Sequence, residues 1–532
     1  MWTSEPALIA ALAVFASLAL SSIQSAIASR AGSDHPVHAF LRDGIRANGF
    51  RLFITVPRLL NKAHCVALPL YLHWILARLP LAAIAWSERL LNPLLNAVHV
   101  LLLAIVAGEA LAIGSAASGI HAGHAALLFA LTPQLYHALS ARNFGLSARG
   151  AGLVLLTAFF AAAQMASASP HPAAWWLVLA VLGWLVWGFS TFAQQALVLL
   201  SLLLLFAGLW RPAAGAALGL ALFLAVHPAY AWSYVRHTLR FQSAYARELA
   251  PIYVLQRRPS VWRDLVWDIW RKPSEVGLKR AVMYAYENPA IVVVLLNPLV
   301  IFSAGHLLSG AGTRQDDWVA FAGAVATAGL VAMLLTSARP TRFLGEPERY
   351  VEVVTPWACL YAASAAAELA GVALVWSMIA SFGLINLAQL CASWMLMRHV
   401  TVANEEIDEV ARVIDATGGP DIRFCCNNEQ VTKMLMGRPW RFAYFIAVGQ
   451  DYAGMTATEA FSRFPNLRPE ACERVARAYR INWLLLDLKV FDRVFDTPPP
   501  DLQSMQSLYR TDRFALLRLQ WHENVAAPLG VS

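Results

Sequence analysis

The sequence predicts a polytopic α-helical membrane protein, with about eleven transmembrane helices and a small C-terminal soluble α/β domain. Three observations lead there. Of 532 residues, 58% are hydrophobic and only 14% are charged, and the mean hydropathy of +0.52 excludes an ordinary soluble enzyme. The apolar residues gather in repeated runs near the length that crosses a bilayer core of ~30 Å. After Arg398 the pattern changes to short apolar runs and amphipathic stretches, the mark of a water-soluble fold.

The first run, 6–29, follows only Met-Trp-Thr-Ser-Glu. With no basic lead and a length beyond a signal h-region, it reads as a retained helix. Further spans are expected near 91–113, 118–134, 150–168, 173–190, 192–210, 213–230, 290–308, 317–337, 351–368 and 371–397. Prolines at 133, 172, 212, 228 and 289 mark many of the joints. The tail lies opposite the N-terminus in this count. Residues 1–400 form the transmembrane domain, with a first loop at 30–90 and a long loop at 228–289, and 401–532 form the soluble domain.

In the first loop, Val37, Phe40, Leu41 and Ile45 recur at helical spacing, with Arg42, Asp43 and Arg46 opposite. That pattern suits a short helix in the plane of the membrane surface, with Pro36 in its first turn and Gly49 as its stop. A second amphipathic piece, 68–79, carries Tyr71, His73, Trp74 and Arg78, residues that favour headgroup level. In the tail, Asp421 to Cys426 and Ile481 to Asp487 read as buried strands. Pro469 to Tyr479 reads as a helix and Arg513 to Gln520 as a closing strand.

The six cysteines contain no C-x-x-C pair and give no zinc or redox framework. Cys425, Cys426 and Cys472 read as buried thiols. Every Lys and Arg except Arg211 and Arg314 falls on one side of the predicted membrane. The preference of cations for the inside would make that side cytoplasmic.

Polar groups on that side carry the candidate chemistry. Asp34, in Ser33-Asp34-His35-Pro36-Val37-His38, either caps the helix beginning near Pro36 or acts as a general base at the depth of a lipid phosphate. His35 and His38 are placed to orient that acid or to touch phosphate. As a metal set they fall one ligand short, so no cofactor is expected and a divalent metal is not favoured. Arg142 and Arg149, beyond the Leu131-Thr132-Pro133 helix end, form a possible phosphate clamp through paired, charge-assisted hydrogen bonds. Tyr136, in the same turn, reads as an interfacial anchor.

The long loop interleaves many cations with Trp and Tyr. Nucleic acid is excluded by the membrane setting. The loop either lies on anionic lipid headgroups or covers a sugar, with Arg236 or Arg240 on phosphate. Phe343 to Tyr350 is either a turn closed by ion pairs or a phosphate contact through Arg349 and Tyr350, with Glu346 beside them. The uncharged polar stretch Ser190 to Gln195 is expected to serve helix packing.

The order of these parts resembles the GT-C superfamily of polyprenyl-phosphate-dependent glycosyltransferases, which includes the aminoarabinose and protein-O-mannosyl transferases. The resemblance spans roughly residues 1–400 and rests on 33–38, 131–133 and 342–350. It implies an inverting transfer at an extracytoplasmic site in a bacterial inner or plasma membrane. The donor would be a polyprenyl-phosphate-linked sugar, and the acceptor an envelope lipid, glycan or protein. Asp34 would take the acceptor proton, and Arg142, Arg149, Arg236 and Arg349 would hold the departing phosphate. Family members often have a second acid near position 149, where this chain has arginine. The resemblance also overrides the charge rule for sidedness, because an anionic donor gives cations a separate reason to gather there. The competing reading is a transporter or flippase for an anionic lipid-linked substrate. It expects ionisable groups deep in several spans, where only scattered groups such as His99, Glu109 and Glu368 lie in or at the ends of apolar stretches. A third is a scaffold whose tail binds an envelope partner.

Overall fold

The computed structural model describes residues 4–28, 35–52, 56, 58–61, 68–112, 122–137, 146–250, 252, 274, 277, 289–310, 317–397, 401–445, 452–463, 466–490 and 507–519. In chain order the first helices are α1 (Ser4–Ala28), α2 (His35–Ala47), α3 (Tyr71–Leu76), α4 (Leu81–Ala112) and α5 (Ala122–Ala130). Next come α6 (Ala148–Ala168), α7 (Pro172–Phe189), α8 (Thr191–Phe206), α9 (Arg211–Val226) and α10 (Pro228–Ala244). Then follow α11 (Pro289–Leu296), α12 (Pro298–Leu308), α13 (Asp317–Ser337), α14 (Pro347–Ala370) and α15 (Val372–Met397). The chain divides into two compact units, each drawn from three stretches.

Unit one comprises Met1–Ser29, Leu79–Pro228 and Arg258–Met397. Among the described residues, seven helices are long and apolar enough to cross a membrane, and α8, α9 and α12 are shorter apolar helices. Two expected spans are interrupted, for local reasons. The run expected at 118–134 is the short α5. Pro133 disfavours helical backbone in the residue before it, and Thr132 is extended where a 3₁₀ turn, Pro133–Tyr136, begins. The run expected at 290–308 breaks at Asn297, since Pro298 starts α12 and has no N–H to continue α11.

The break before Pro133 exposes backbone carbonyls, which a membrane interior does not satisfy, and side chains fill the need. Asn386 Nδ2 donates to Leu131 O at 2.7 Å and Gln389 Nε2 to Pro133 O at 3.0 Å. Asn297 Nδ2 donates to Gln134 Oε1 and to Thr355 Oγ1, each at 2.8 Å. Gln134 Nε2 passes the chain on to Glu348 O at 2.8 Å. Tyr136 is buried and its hydroxyl donates to Ala130 O at 2.6 Å, so it closes this turn rather than anchoring at an interface. Ser190 and Gln194 serve helix packing as expected. Ser190 Oγ accepts from Ala193 N at 3.4 Å, and Gln194 Nε2 donates to Trp187 O. Close approach also needs small residues: a Cβ on Gly219 would sit 2.5 Å from the Gly183 carbonyl carbon where α9 crosses α7.

Unit two comprises Arg30–Arg78, Ala229–Arg257 and Arg398–Ser532. Its tail carries α16 (Thr401–Thr417), β1 (Arg423–Cys426), α17 (Glu429–Leu435) and β2 (Arg441–Phe442). After these come α18 (Ala457–Ala460), β3 (Phe461–Arg463), β4 (Asn466–Leu467), α19 (Pro469–Ala478), β5 (Trp483–Asp487), α20 (Leu488–Val490), β6 (Ser507–Arg510) and β7 (Phe514–Arg518). The two buried strands, the helix and the closing strand expected from the sequence are therefore present as β1, β5, α19 and β7.

The five-stranded sheet runs β2-β1-β5-β7-β6. The first three strands are parallel, and β7 and β6 form an antiparallel hairpin. Residues of the first loop extend its edge. Leu59 bridges Phe442 in parallel, Leu60 N donates to Phe442 O at 2.8 Å, and Phe442 N donates to Arg58 O at 2.9 Å. Asn61 completes the join, donating to Tyr444 O at 2.5 Å and accepting from Tyr444 N at 3.1 Å. The apolar face of α2 is covered by protein: Phe40, Leu41 and Ile45 are buried, and Phe40 stands edge-on to Phe442. Arg42, expected on the polar face, is buried too. From the long loop, Leu249 enters the core with Cys425, Phe445, Phe461 and Cys472.

Candidate functional site

Unit one gathers three of the candidates, Arg149, Arg349 and Tyr350, around one ring. Arg149 is the second residue of α6, whose start is fixed by Ser147 Oγ accepting from Arg149 N at 3.2 Å. Its guanidinium lies 5.1 Å from the Phe192 ring centroid, and that of Arg349 lies 5.8 Å from the same centroid. Tyr350 meets this ring edge-on at 5.5 Å. Phe192 sits in the first turn of α8 and Tyr350 in that of α14, so helix entries bring these groups together.

Each cation has a carboxylate. Glu352 Oε2 accepts from Arg149 Nη2 at 2.5 Å, with both side chains buried at 9% and 5% exposure. Arg349 pairs with Glu346, both about one-third exposed or less. Tyr350 donates to Leu344 O at 2.6 Å, and Gly345, at φ +126°, makes the turn that a side chain would strain. The segment 343–350 is thus a turn closed by an ion pair, with two guanidinium groups near one aromatic ring. Guanidinium forks recognise phosphate oxygens, and an aromatic face stabilises a cation nearby.

Glu352 is the residue that sequence reasoning missed. It is one carboxylate in the apolar stretch Val351-Glu352-Val353-Val354, and an ionisable group inside such a helix is itself a signal. A carboxylate thus meets Arg149 from a helix 203 residues further along. His99, weighed for a transport pathway, is a buried histidine satisfied by Thr157 Oγ1 at 2.7 Å. Glu109 and Glu368 are exposed on the unit.

Unit two holds His35, His38, Arg236 and Arg240. His38 Nδ1 and His73 Nε2 share a hydrogen bond of 2.8 Å, and their rings stack at 5.1 Å. His73 is buried. Burial first, then the neighbouring His38 and Arg42, holds its imidazole well below the usual range. His35 opens α2 and is half-buried. Arg236 and Arg240 lie one turn apart on α10 and are both exposed. Tyr230 and Tyr234 of that helix turn inward instead, and Tyr230 Oη accepts from Leu70 N at 3.0 Å and donates to Leu68 O at 3.2 Å. Asp34 and Arg142 lie outside the described residues. Among the described residues, no three His, Cys, Asp or Glu side chains come together as a metal site.

No family model matches the chain, and no curated protein matches it in sequence. Solved structures match it in fold. ArnT from Cupriavidus metallidurans, bound to undecaprenyl phosphate, aligns over 96% of this chain and 97% of its own at 14% identity, with a TM-score of 0.43. Archaeal oligosaccharyltransferase AglB from Archaeoglobus fulgidus, with an inhibitory peptide and a dolichol-phosphate, gives 89%, 69%, 12% and 0.40 on the same measures. The oligosaccharyltransferase of Archaeoglobus fulgidus, in complex with Zn and sulfate, matches at a TM-score of 0.51 and 12% identity, over 91% of this chain and 68% of its own. Only this last score is high enough to bear on architecture, and on it the chain shares its fold with that archaeal oligosaccharyltransferase.

Proposed function

We propose that the chain is an integral membrane glycosyltransferase that moves a sugar from a polyprenyl-phosphate donor to an envelope acceptor. The observation that carries this reading is the pair of guanidinium groups, Arg149 and Arg349, gathered at Phe192 with Tyr350 and two carboxylates. Such a cluster is suited to a phosphate monoester or diester, whose charge grows as the glycosidic bond breaks. The fold shared with an archaeal oligosaccharyltransferase agrees with it.

In the proposed reaction Asp34 accepts the proton of an acceptor hydroxyl or amide. The acceptor atom forms a bond to the anomeric carbon from the face opposite the donor oxygen. The bond from that carbon to the phosphate oxygen breaks, and its electron pair leaves with the polyprenyl phosphate. The leaving group is already an anion, so cations rather than an acid must stabilise it. Arg149 and Arg349 are assigned that role, with Arg142, Arg236 and Arg240 as further phosphate ligands. Glu346 and Tyr350 set the Arg349 end, while His35 and His38 orient the acid. The mechanism uses no metal. Residues 401–532 and the catalytic face are assigned to the extracytoplasmic side of a bacterial inner membrane. Residues 1–400 serve as the membrane transferase domain.

The test is Asp34→Asn in purified protein with a radiolabelled polyprenyl-phosphate sugar. Transfer should fall at least a hundredfold, while donor binding and melting temperature stay near those of the parent. Full transfer by the variant removes the mechanism. Movement of the lipid across a vesicle membrane without transfer would favour the flippase reading.

A further inference from the structure

The soluble sheet has a feature that the transferase reading does not use. Adjacent parallel strands β1 and β5 send their chains in opposite directions: β1 leads to β2 at one edge, and β5 leads to β6 and β7 at the other. In an open α/β sheet, that reversal opens a crevice at the carboxyl ends of the two strands, where such folds bind ligands. Here a polar cluster occupies this place.

Asn427 and Asn428 follow β1, Asp487 ends β5, and Arg513 precedes β7. Asn427 ties the strand ends together, its Oδ1 accepting from Asp487 N at 2.7 Å and its Nδ2 donating to Asp487 O at 3.3 Å. The Asp487 side chain is 2% exposed. Its Oδ2 accepts from Asn428 Nδ2 at 2.9 Å and from Arg513 Nη2 at 3.3 Å.

Its Oδ1 is buried and has no hydrogen-bond partner among the described residues, and the same holds for Arg513 Nε. An unmet acceptor on a buried carboxylate and an unmet donor on the arginine paired with it are both costly. They are also complementary to a single chemical group. A hydroxyl donates to Asp487 Oδ1 while its lone pair accepts from an arginine N–H. A phosphate or carboxylate would satisfy the arginine but be repelled by Asp487, and an ammonium would do the reverse. The Asp487–Arg513 pair has no net charge, which also favours a neutral ligand.

We propose that the carboxyl ends of β1 and β5 bind a neutral, hydroxyl-rich ligand of the carbohydrate class, through Asp487 and Arg513 with Asn428 beside them. The site lies wholly within the soluble sheet and does not depend on the transferase reading.

The experiment places the full-length protein in lipid nanodiscs free of glycoside detergent. Methyl α-D-glucopyranoside and methyl α-D-mannopyranoside are the probes, inorganic phosphate is the charged comparison, and saturation-transfer NMR is the readout. At least one glycoside should receive saturation. Asp487→Asn and Arg513→Gln should each weaken that binding at least tenfold. Arg513 is partly exposed, so its variant supplies the answer if Asp487→Asn fails to fold. Asp34→Asn should bind the glycoside as the parent does, which separates this site from the transfer mechanism. Saturation of neither glycoside overturns the proposal, as does binding of phosphate in their place or glycoside binding undiminished in both variants.

Discussion

The Arg149–Glu352 pair offers a test in which stability and function separate. Its Nη2–Oε2 distance of 2.5 Å and the 9% and 5% exposures place both charges out of water. Removing one partner of such a pair leaves the other buried and uncompensated, at a cost of roughly 3–5 kcal/mol. Glu352→Leu removes the carboxylate from a guanidinium that keeps the Phe192 ring at 5.1 Å. That contact recovers only about 0.5–2 kcal/mol. Arg149→Met removes the guanidinium that the buried carboxylate faces. The double variant exchanges both charges for apolar groups of similar size, a change that is often neutral or stabilising by about 1–4 kcal/mol. Melting of the four proteins in nanodiscs should therefore show two depressed single variants and a double variant close to the parent. Salt should change little, because buried charges are weakly screened. Under the proposed function the restored double variant has lost a phosphate ligand. It should bind polyprenyl phosphate at least tenfold more weakly despite its recovered stability. Additive losses in the double variant, or single variants indistinguishable from the parent, would refute the reasoning.

Two further predictions concern the soluble unit. Asn61→Ala removes both hydrogen bonds to Tyr444 and strands buried backbone groups, so unit two should lose about 2–4 kcal/mol; earlier proteolytic cleavage within 58–61 reads this directly, and unchanged cleavage would count against the join. His73 is held below the usual imidazole range when folded, so the unfolded chain binds the extra proton first as pH falls. Stability should thus decline on acidification from about pH 6.5 downward. Thermal melts between pH 7.5 and 5 should show that slope in the parent and a flatter one in His73→Leu, and equal slopes would refute the assignment.

Much of the secondary structure was legible because it is a local property. Prolines at 172, 228 and 289 open α7, α10 and α11, since a fixed φ and a missing donor suit a helix's first turn. Asp421 to Cys426 and Ile481 to Asp487 read as buried strands because short apolar runs of that kind do not fit a bilayer-spanning helix. The two broken spans were less legible, since composition alone does not show that Asn386 and Gln389 meet the carbonyls of Leu131 and Pro133, or that Asn297 bonds Gln134 and Thr355. The pattern of α2 was read correctly as amphipathic, but periodicity marks an apolar face without naming what covers it. In the structure Phe442 and its neighbours do so.

The sequence by itself determined that this is a many-helix membrane chain with an α/β tail, and it offered cations, histidines and one early aspartate as candidates for its chemistry. Only the tertiary structure decided which charges meet. Glu352 reaches Arg149 across 203 positions, Asn61 reaches Tyr444 across 383, and His73 comes to His38 from a separate helix. Hydropathy and helical period act over a few residues and are written in local order. The pairing of buried charges depends on how whole helices and strands pack, and no short stretch of sequence contains that.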